Sequence, residues 1–258
     1  MFQIGTHQKP QTNRYLRREQ VVYKRKVNQT VDSNKLVTLY SPHSKVSEEF
    51  RTLRTNIQFV MVDQSLPTIM VTSSVQGEGK SVIASNLALV FASQGKRVLL
   101  VDADLRRPTL HKKFNLPNNS GLSSFLIGTM PALSVILDKP YSKNLYILTS
   151  GVIPPNPSEL LASQRMEDLM NKLKANFDII IIDTPPVTAV SDAQILASKV
   201  DGTLFVVRKG IAEKQHLLRS KELMENVQAR IIGTVFNGKK SERESDNTLY
   251  KQKQYTFS

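Results

Sequence analysis

The clearest chemical signal in the sequence is a glycine-rich loop, SVQGEGKS at residues 74–81. An apolar run precedes the loop and an apolar-periodic segment follows it, which predicts the order strand, loop, helix. In that arrangement, backbone N–H groups and the positive end of the helix dipole bind phosphate oxygens. The Lys80 ammonium reaches the β- and γ-phosphates of a nucleotide, and the Ser81 hydroxyl binds Mg²⁺. The predicted nucleotide-binding residues of this segment are Gly77, Glu78, Gly79, Lys80, Ser81 and Val82.

The loop departs from the usual pattern G-x-x-x-x-G-K-[ST] at its first position, where this chain has Ser74. A glycine-rich turn that binds no ligand would share the same composition. The strand–loop–helix context argues against that simpler interpretation, because a helix N-terminus after a glycine loop is a ready anion-binding site. Two acidic segments further along the chain strengthen the prediction of a nucleotide site.

Both acidic segments follow predicted strands. The strand predicted at residues 97–102 ends in Asp102, and Asp104 lies on the same side as Asp102 if the extended conformation continues. Asp183 ends the second strand, after four consecutive isoleucines at residues 179–182. Carboxylates at strand ends suit a hard cation such as Mg²⁺, and one of them can instead accept a proton from an attacking hydroxyl. Arg106 either neutralises phosphate charge or pairs with a carboxylate.

The elements that must position these groups alternate along the chain between strands and helices. Strands are predicted at residues 68–72, 97–102, 145–149, 178–183, 203–208 and 230–236. Helices are predicted at residues 44–62, 80–94, 158–174, 191–198 and 213–226, the fourth opening with the capping-box spacing of Ser191 and Gln194. This alternation predicts an α/β fold, a mostly parallel doubly wound sheet of the P-loop NTPase-like kind. Ligands bind such sheets at the carboxyl ends of the strands.

The composition of the chain excludes several kinds of chemistry, and its distribution predicts the boundaries of the folded domain. The chain has 258 residues, no cysteine and a net charge of +13, so disulfides, thiol catalysis and Cys-ligated zinc are excluded. No apolar run approaches the ~20 residues that span a bilayer, which predicts a soluble or peripheral chain. Residues 1–40 are predicted to be a basic, disordered arm, residues 41–238 the folded domain and residues 239–258 a flexible tail. The arm either contacts anionic lipid, binds nucleic acid nonspecifically or is simply solvated.

Taken together, these segments resemble the bacterial tyrosine kinases of capsule and exopolysaccharide synthesis over about residues 40–240. The most specific marker is VDADLRRP at residues 101–108, which resembles the second acidic motif of that family, D-x-D-x-R. The glycine loop at residues 77–81 and the segment DTPP at residues 183–186 resemble the first and third motifs. The resemblance implies an ATP- and Mg²⁺-dependent protein-tyrosine kinase that regulates the synthesis and export of a polysaccharide.

The resemblance also implies roles for individual residues. The implied metal ligands are Ser81, Asp104 and Asp183. Asp102 would orient or deprotonate the tyrosine hydroxyl, although its division of roles with Asp104 stays open. Asn237 resembles the position that contacts the adenine edge. The predicted catalytic residues are Lys80, Asp102, Asp104 and Arg106.

Assembly is a further implication of the resemblance. A helix with the pattern E-x-x-R-x-x-R contributes to a ring of kinase subunits in the family, and here the matching residues are Glu48, Arg51 and Arg54. The simpler alternative is an intrahelical pair between Glu48 and Arg51. Autophosphorylation would fall on the two tail tyrosines, Tyr250 and Tyr255. The alternative acceptors lie in the N-terminal arm at Tyr15 and Tyr23.

Short members of this family lack membrane helices of their own and are activated by a separate membrane protein of the chain-length-determinant kind. The chain is therefore expected in the cytoplasm, at the inner face of the plasma membrane, as a peripheral homo-oligomer without a specific nucleic-acid partner. The competing class is a partitioning or positioning switch ATPase that binds DNA or membrane. Such switches usually carry an additional lysine early in the loop, where this chain has Ser74 and Val75, and they lack the Asp104-x-Arg106 arrangement.

Overall fold

A seven-stranded sheet organises the part of the protein that the computed structural model describes, residues 36–62, 66–131, 136–138 and 142–238. The strands are β1 (Thr68–Ser73), β2 (Val98–Asp102), β3 (Ile136–Asp138), β4 (Leu145–Leu148), β5 (Ile179–Asp183), β6 (Gly202–Arg208) and β7 (Ile231–Asn237). Their order is β3-β4-β2-β5-β1-β6-β7. Six of them are parallel, and β3 pairs antiparallel with β4 at one edge.

Helices cover both faces of the sheet. They are α1 (Val37–Tyr40), α2 (Lys45–Val62), α3 (Lys80–Ala92), α4 (Leu110–Lys113), α5 (Leu122–Ile127), α6 (Pro157–Ala162), α7 (Gln164–Lys174), α8 (Asp192–Ala197) and α9 (Lys214–Asn226). The predicted α/β fold with a mostly parallel, doubly wound sheet is thus confirmed. Within the described ranges, no helix has both the length and the apolarity that crossing a bilayer requires.

The isoleucine run of β5 shows how the sheet forms its two cores. Ile180 and Ile182 pack in the core under α7 and α8, whereas Ile179 and Ile181 pack in the core under α2 and α3. All four side chains are buried. A strand that is apolar at every position is what a parallel sheet covered on both faces requires, and this places Asp183 at its carboxyl end.

Two local predictions were wrong. The helix predicted over residues 158–174 is divided into α6 and α7 at Ser163, which has an extended backbone with ψ at 156°. The Ser163 hydroxyl donates to the Leu160 carbonyl at 2.6 Å, so it competes with the helical hydrogen bonds of the backbone. The capping box at Ser191 is also absent, because Ser191 has helical angles and its side chain makes no capping hydrogen bond to α8.

The folded domain includes residues before the boundary predicted at residue 40. Leu36 is fully buried in the core on the α3 side of the sheet, and α1 follows it directly. The Thr38 amide and hydroxyl both donate to the Asn86 Oδ1 of α3, at 3.0 and 2.9 Å. Residues 36–40 are therefore part of the folded domain, and residues 1–35 lie outside the described ranges.

Candidate active site

The glycine loop connects the end of β1 to the start of α3, at the centre of the carboxyl edge of the sheet. Gly77 and Gly79 have φ angles of 88° and 94°, in the left-handed region that side chains strongly disfavour. A Cβ on Gly79 would also lie 2.2 Å from Asn237 Nδ2. These two positions therefore require glycine, and the loop has the predicted strand–loop–helix context.

A buried carboxylate holds the inner part of this loop. Glu78 Oε2 accepts hydrogen bonds from the Ser74 hydroxyl and the Val75 amide, each at 2.8 Å. Glu78 Oε1 accepts from the Arg208 amide of β6 at 3.1 Å. The Ser74 hydroxyl thus has a specific partner at the position where the usual pattern has glycine. Sequence reasoning missed this role, because a glutamate within a glycine-rich loop gives no local signal of burial.

The ends of β6 and β7 brace the same loop from outside. Asn237 Nδ2 donates to the Glu78 carbonyl at 2.8 Å, and an Arg208 guanidinium nitrogen donates to the Gly77 carbonyl at 3.1 Å. Asn237 therefore lies beside the loop, and its predicted contact with the adenine edge stays a prediction. The Gly77 and Glu78 carbonyls both accept hydrogen bonds from these strand ends. This geometry supports a loop conformation that is already formed before phosphate binds.

Asp102 and Asp183 lie opposite each other in the parallel pairing of β2 and β5. Both are fully buried. Asp102 Oδ2 accepts from the Thr109 and Leu110 amides at 3.0 and 2.9 Å, whereas its Oδ1 has no hydrogen-bond partner among the described residues. Burial and the neighbouring Asp183 raise the pKa of Asp102 to about 8, and the hydrogen bond from Leu110 opposes this shift.

Neither carboxylate oxygen of Asp183 has a hydrogen-bond partner within the described part of the chain. Burial raises the pKa of Asp183, and the Lys80 ammonium and the facing Ser81 hydroxyl oppose that shift, although the Ser81 contact does not meet strict hydrogen-bond geometry. Lys80 Nζ contacts Asp104 Oδ2 at 3.3 Å, and Asp104 Oδ1 accepts from the Arg107 amide at 3.0 Å. The loop lysine and the three predicted carboxylates therefore form one connected site.

This donor set fits a magnesium–nucleotide complex. Buried carboxylate oxygens without partners are costly unless a cation or a protonated ligand satisfies them. Among the described residues, no group of three or more His, Cys, Asp or Glu side chains is arranged to hold a metal ion by itself. Mg²⁺ usually takes one or two carboxylates and completes its shell with phosphates and water.

Arg106 lies at the margin of the site. The sequence left two partners open for it, a phosphate group or a carboxylate. Its Nε donates to Asp192 Oδ2 at 2.9 Å, and one terminal nitrogen donates to Asp192 Oδ1 at 3.1 Å. That same nitrogen donates to the Ser158 hydroxyl at 2.8 Å. The carboxylate that Arg106 binds is therefore Asp192, which the sequence did not single out.

The predicted assembly residues make contacts within the chain. Arg51 pairs with Glu48 at 2.6 Å in the first turns of α2, which is the simpler alternative considered from the sequence. Arg54 donates to the Val90 carbonyl at the end of α3 at 3.1 Å. The predicted acceptor tyrosines lie outside the described residues, namely Tyr15, Tyr23, Tyr250 and Tyr255.

The sheet order and the glycine loop define the class of protein, a P-loop ATPase fold. The protein-family model described as an AAA domain matches residues 66–208, more than half of the chain. The solved structure of the cell division ATPase MinD from Pyrococcus furiosus superimposes with a TM-score of 0.57 at 23% identity, over 66% of this chain and 71% of that one. At that identity the likeness shows the fold alone.

Closer relatives define the particular family. Tyrosine-protein kinase YwqD of Bacillus subtilis is 44% identical over 215 residues, which are 83% of this chain and 90% of that protein. Tyrosine-protein kinase etk of Escherichia coli is 36% identical over 199 residues, 77% of this chain and 27% of that protein. A relative from Klebsiella pneumoniae, named for the cps region, is 34% identical over 84% of this chain and 30% of its own length.

Solved structures agree with these relatives. The chimerical protein CapA2B2 superimposes with a TM-score of 0.76 at 38% identity, over 84% of this chain and 97% of that one. The kinase domain of the E. coli tyrosine kinase ETK gives a TM-score of 0.76 at 34% identity, over 79% of each chain. The chain therefore belongs to the bacterial tyrosine-protein kinase family, and it is a nucleotide-binding tyrosine-protein kinase.

Proposed function

We propose that the chain is a Mg-ATP-dependent autokinase that phosphorylates tyrosines in the tails of neighbouring copies and thereby regulates capsular or exopolysaccharide synthesis and export. The observation that carries the chemistry is the pair of buried carboxylates, Asp102 and Asp183, which lie opposite each other and carry oxygens without a hydrogen-bond partner among the described residues. The identity to tyrosine-protein kinases favours this function over the switch ATPase. The relative named for the cps region supports the polysaccharide context.

Phosphoryl transfer in this site depends on positioning and charge. The Lys80 ammonium and the amides of residues 77–82 hold the phosphates. When bound, Mg²⁺ neutralises charge on the β- and γ-phosphates, and its ligands would be Ser81, Asp104 and Asp183. Asn237 would contact the adenine edge through Oδ1, since its Nδ2 is used by the Glu78 carbonyl.

Asp102 would receive the proton of the attacking tyrosine hydroxyl. Its Oδ1 has no partner among the described residues, and its Oδ2 is fixed by two backbone amides, so the carboxylate is held in one orientation. Burial and the neighbouring Asp183 raise the pKa of Asp102, so the ionised form of this carboxylate is a stronger base than an ordinary carboxylate.

Transfer between copies is supported by reach and by surface. Tyr250 lies 13 residues beyond the end of β7, and an extended segment of that length reaches up to about 45 Å. On α2, which carries Glu48, Arg51 and Arg54, Phe59 is 68% exposed. We propose that α2 contacts a neighbouring copy in a ring-like oligomer, where its two arginines exchange their intrachain partners for a neighbour's acidic groups.

Activation would come from a separate membrane protein. The chain spans about a quarter of the length of etk and 90% of the length of YwqD, and the resemblance to the short members of the family implies such a partner. A peripheral position at the cytoplasmic face of the plasma membrane follows from that partnership. The basic arm has no assigned role in it.

A mixing experiment tests the transfer between copies. One chain carries Lys80→Met and keeps its tail, and the other keeps Lys80 but has Tyr250→Phe and Tyr255→Phe. Incubation of the mixture with Mg-ATP should place phosphate on the tail of the Lys80→Met chain, read by mass spectrometry of the two distinguishable tails. Phosphotyrosine that appears only when active site and tail share one chain would refute the transfer between copies.

A further inference from the structure

A cluster of three mutually hydrogen-bonded side chains lies next to the acidic segment of the site, and the Ser191 hydroxyl joins it by donating to one of them, Ser158, at 3.4 Å. Asp192, the first residue of α8, is fully buried and accepts both Arg106 hydrogen bonds. Its Oδ1 also accepts from the Ser158 hydroxyl at 2.7 Å, and Arg106 donates to that same hydroxyl at 2.8 Å. Each of the three side chains therefore binds the other two.

This cluster joins elements that are far apart in the sequence. Arg106 belongs to the segment after β2, Ser158 to the first turn of α6 and Asp192 to the first turn of α8. A bidentate guanidinium–carboxylate pair fixes both direction and distance, which a lysine in the same place does not do. The segment after β2 is therefore attached to the helical layer at one defined point.

The attachment is two residues from Asp104. The amide of the next residue, Arg107, donates to Asp104 Oδ1, so the backbone that Arg106 anchors also orients the Asp104 carboxylate. The other oxygen of Asp104 contacts Lys80 at 3.3 Å. Movement of the Arg106 anchor would consequently displace a carboxylate that touches the phosphate-binding lysine.

We propose that Asp192 is a positioning residue for phosphoryl transfer, which acts through Arg106 and keeps Asp104 in register with Lys80. Ser158 supports the pair by donating a hydrogen bond to Asp192 Oδ1. Arg106 then works as an anchor, because its Nε and one of its two terminal nitrogens are held by the cluster. Misplacement of a catalytic group by about 1 Å lowers a rate by about 100-fold.

The experiment measures initial rates of phosphotyrosine formation for Asp192→Asn, Asp192→Ala, Arg106→Ala and the Arg106→Ala/Asp192→Ala double variant. We expect kcat to fall about 10- to 100-fold in each, while KM for ATP changes less than about 2-fold because the glycine loop is untouched. The Mg²⁺ concentration for half-maximal rate should rise. The double variant should be no slower than Arg106→Ala, because Asp192 acts through Arg106.

A matched control is Asp201→Asn. Asp201 lies at the amino ends of the parallel strands, opposite the candidate site. Asp201 also binds a cation and a hydroxyl, Lys174 at 2.9 Å and Thr68 at 2.5 Å, and so joins separate elements as Asp192 does. Its loss should lower the melting temperature without changing kcat at temperatures where the chain is folded. Asp192→Asn retains the side-chain volume, so it separates the loss of the ion pair from the loss of packing.

Three results would overturn the proposal. The first is a kcat within 2-fold of the unmodified chain in Asp192→Ala that melts normally. The second is a rise in KM for ATP with kcat unchanged. The third is an additive loss in the double variant, which would show that Asp192 acts independently of Arg106.

Discussion

The aspartates at the two ends of the parallel strands differ in their burial and in their partners. At the amino edge, Asp201 Oδ2 accepts from the Thr68 amide and hydroxyl, and its other oxygen binds Lys174. At the carboxyl edge, Asp183 has two buried oxygens without a partner among the described residues, and Asp102 has one. The amino edge is built for stability, whereas the carboxyl edge retains an electrostatic cost that a cation and phosphates would relieve.

The largest expected effect on activity belongs to Asp102→Asn. The amide oxygen still accepts from Thr109 and Leu110 but cannot take a proton from tyrosine, so the rate should fall about 100-fold or more. The check is the initial rate of phosphotyrosine formation, with nucleotide binding as the control that the site remains formed. A rate within 10-fold of the unmodified chain would remove Asp102 from the proton transfer.

The same variant should gain stability at alkaline pH. Burial raises the pKa of Asp102 from 3.8 to about 8, so the unfolded chain loses this proton at lower pH than the folded chain. Its contribution to stability is therefore fully present below pH 4 and is lost as the pH rises through about 8. Asn does not titrate, so Asp102→Asn should melt higher than the unmodified chain at pH 8, and the difference should shrink below pH 4.

Glu78→Gln should have an intermediate effect on activity. The Gln side chain would point an N–H group at groups that donate hydrogen bonds to the Glu78 carboxylate. This mismatch should cost about 1–3 kcal/mol of stability and loosen the loop. KM for ATP should rise about 10-fold, because preorganised amides bind the phosphates. Glu222→Gln is the matched control, since Glu222 is exposed in a surface pair with Arg219 and should change stability by less than about 1 kcal/mol. Equal effects of the two variants would contradict the bracing role of Glu78.

Asp201→Asn should have the smallest effect on activity. It weakens the hydrogen bonds to Thr68 and the ion pair with Lys174, so unfolding should be favoured by about 1–3 kcal/mol, measured by denaturant titration. The rate per folded molecule should stay unchanged, because Asp201 lies at the amino edge. A change in kcat comparable to that of Asp192→Ala would show that the two edges are coupled.

Local patterns predicted most of the fold. Apolar runs and 3–4-residue periodicity located the six parallel strands and the long helices, because burial on one or both faces leaves that pattern in the sequence. The antiparallel β3 has three residues and was missed, since so short a segment has no periodicity. The break at Ser163 was missed because it depends on a side-chain bond to the backbone rather than on a Gly or Pro.

The candidate site was likewise predicted only in part. The loop, Asp102, Asp104 and Asp183 were found because each follows an apolar strand, and parallel strands bring such ends together. The contact between Glu78 and Arg208 joins residues 130 positions apart, and that between Arg106 and Asp192 joins residues 86 positions apart. Neither contact leaves a mark in the local sequence, so the anchors of the site became visible only in three dimensions.

The most direct test of the central claim is phosphotyrosine mapping on the purified chain with Mg-ATP, with and without the cytoplasmic tail of a membrane activator. Phosphate is expected on Tyr250 or Tyr255, and it should be absent from Lys80→Met, whose loop lacks the phosphate-binding ammonium. Hydrolysis of ATP without phosphotyrosine, while a working activator is present, would contradict the autokinase and support a nucleotide-driven switch.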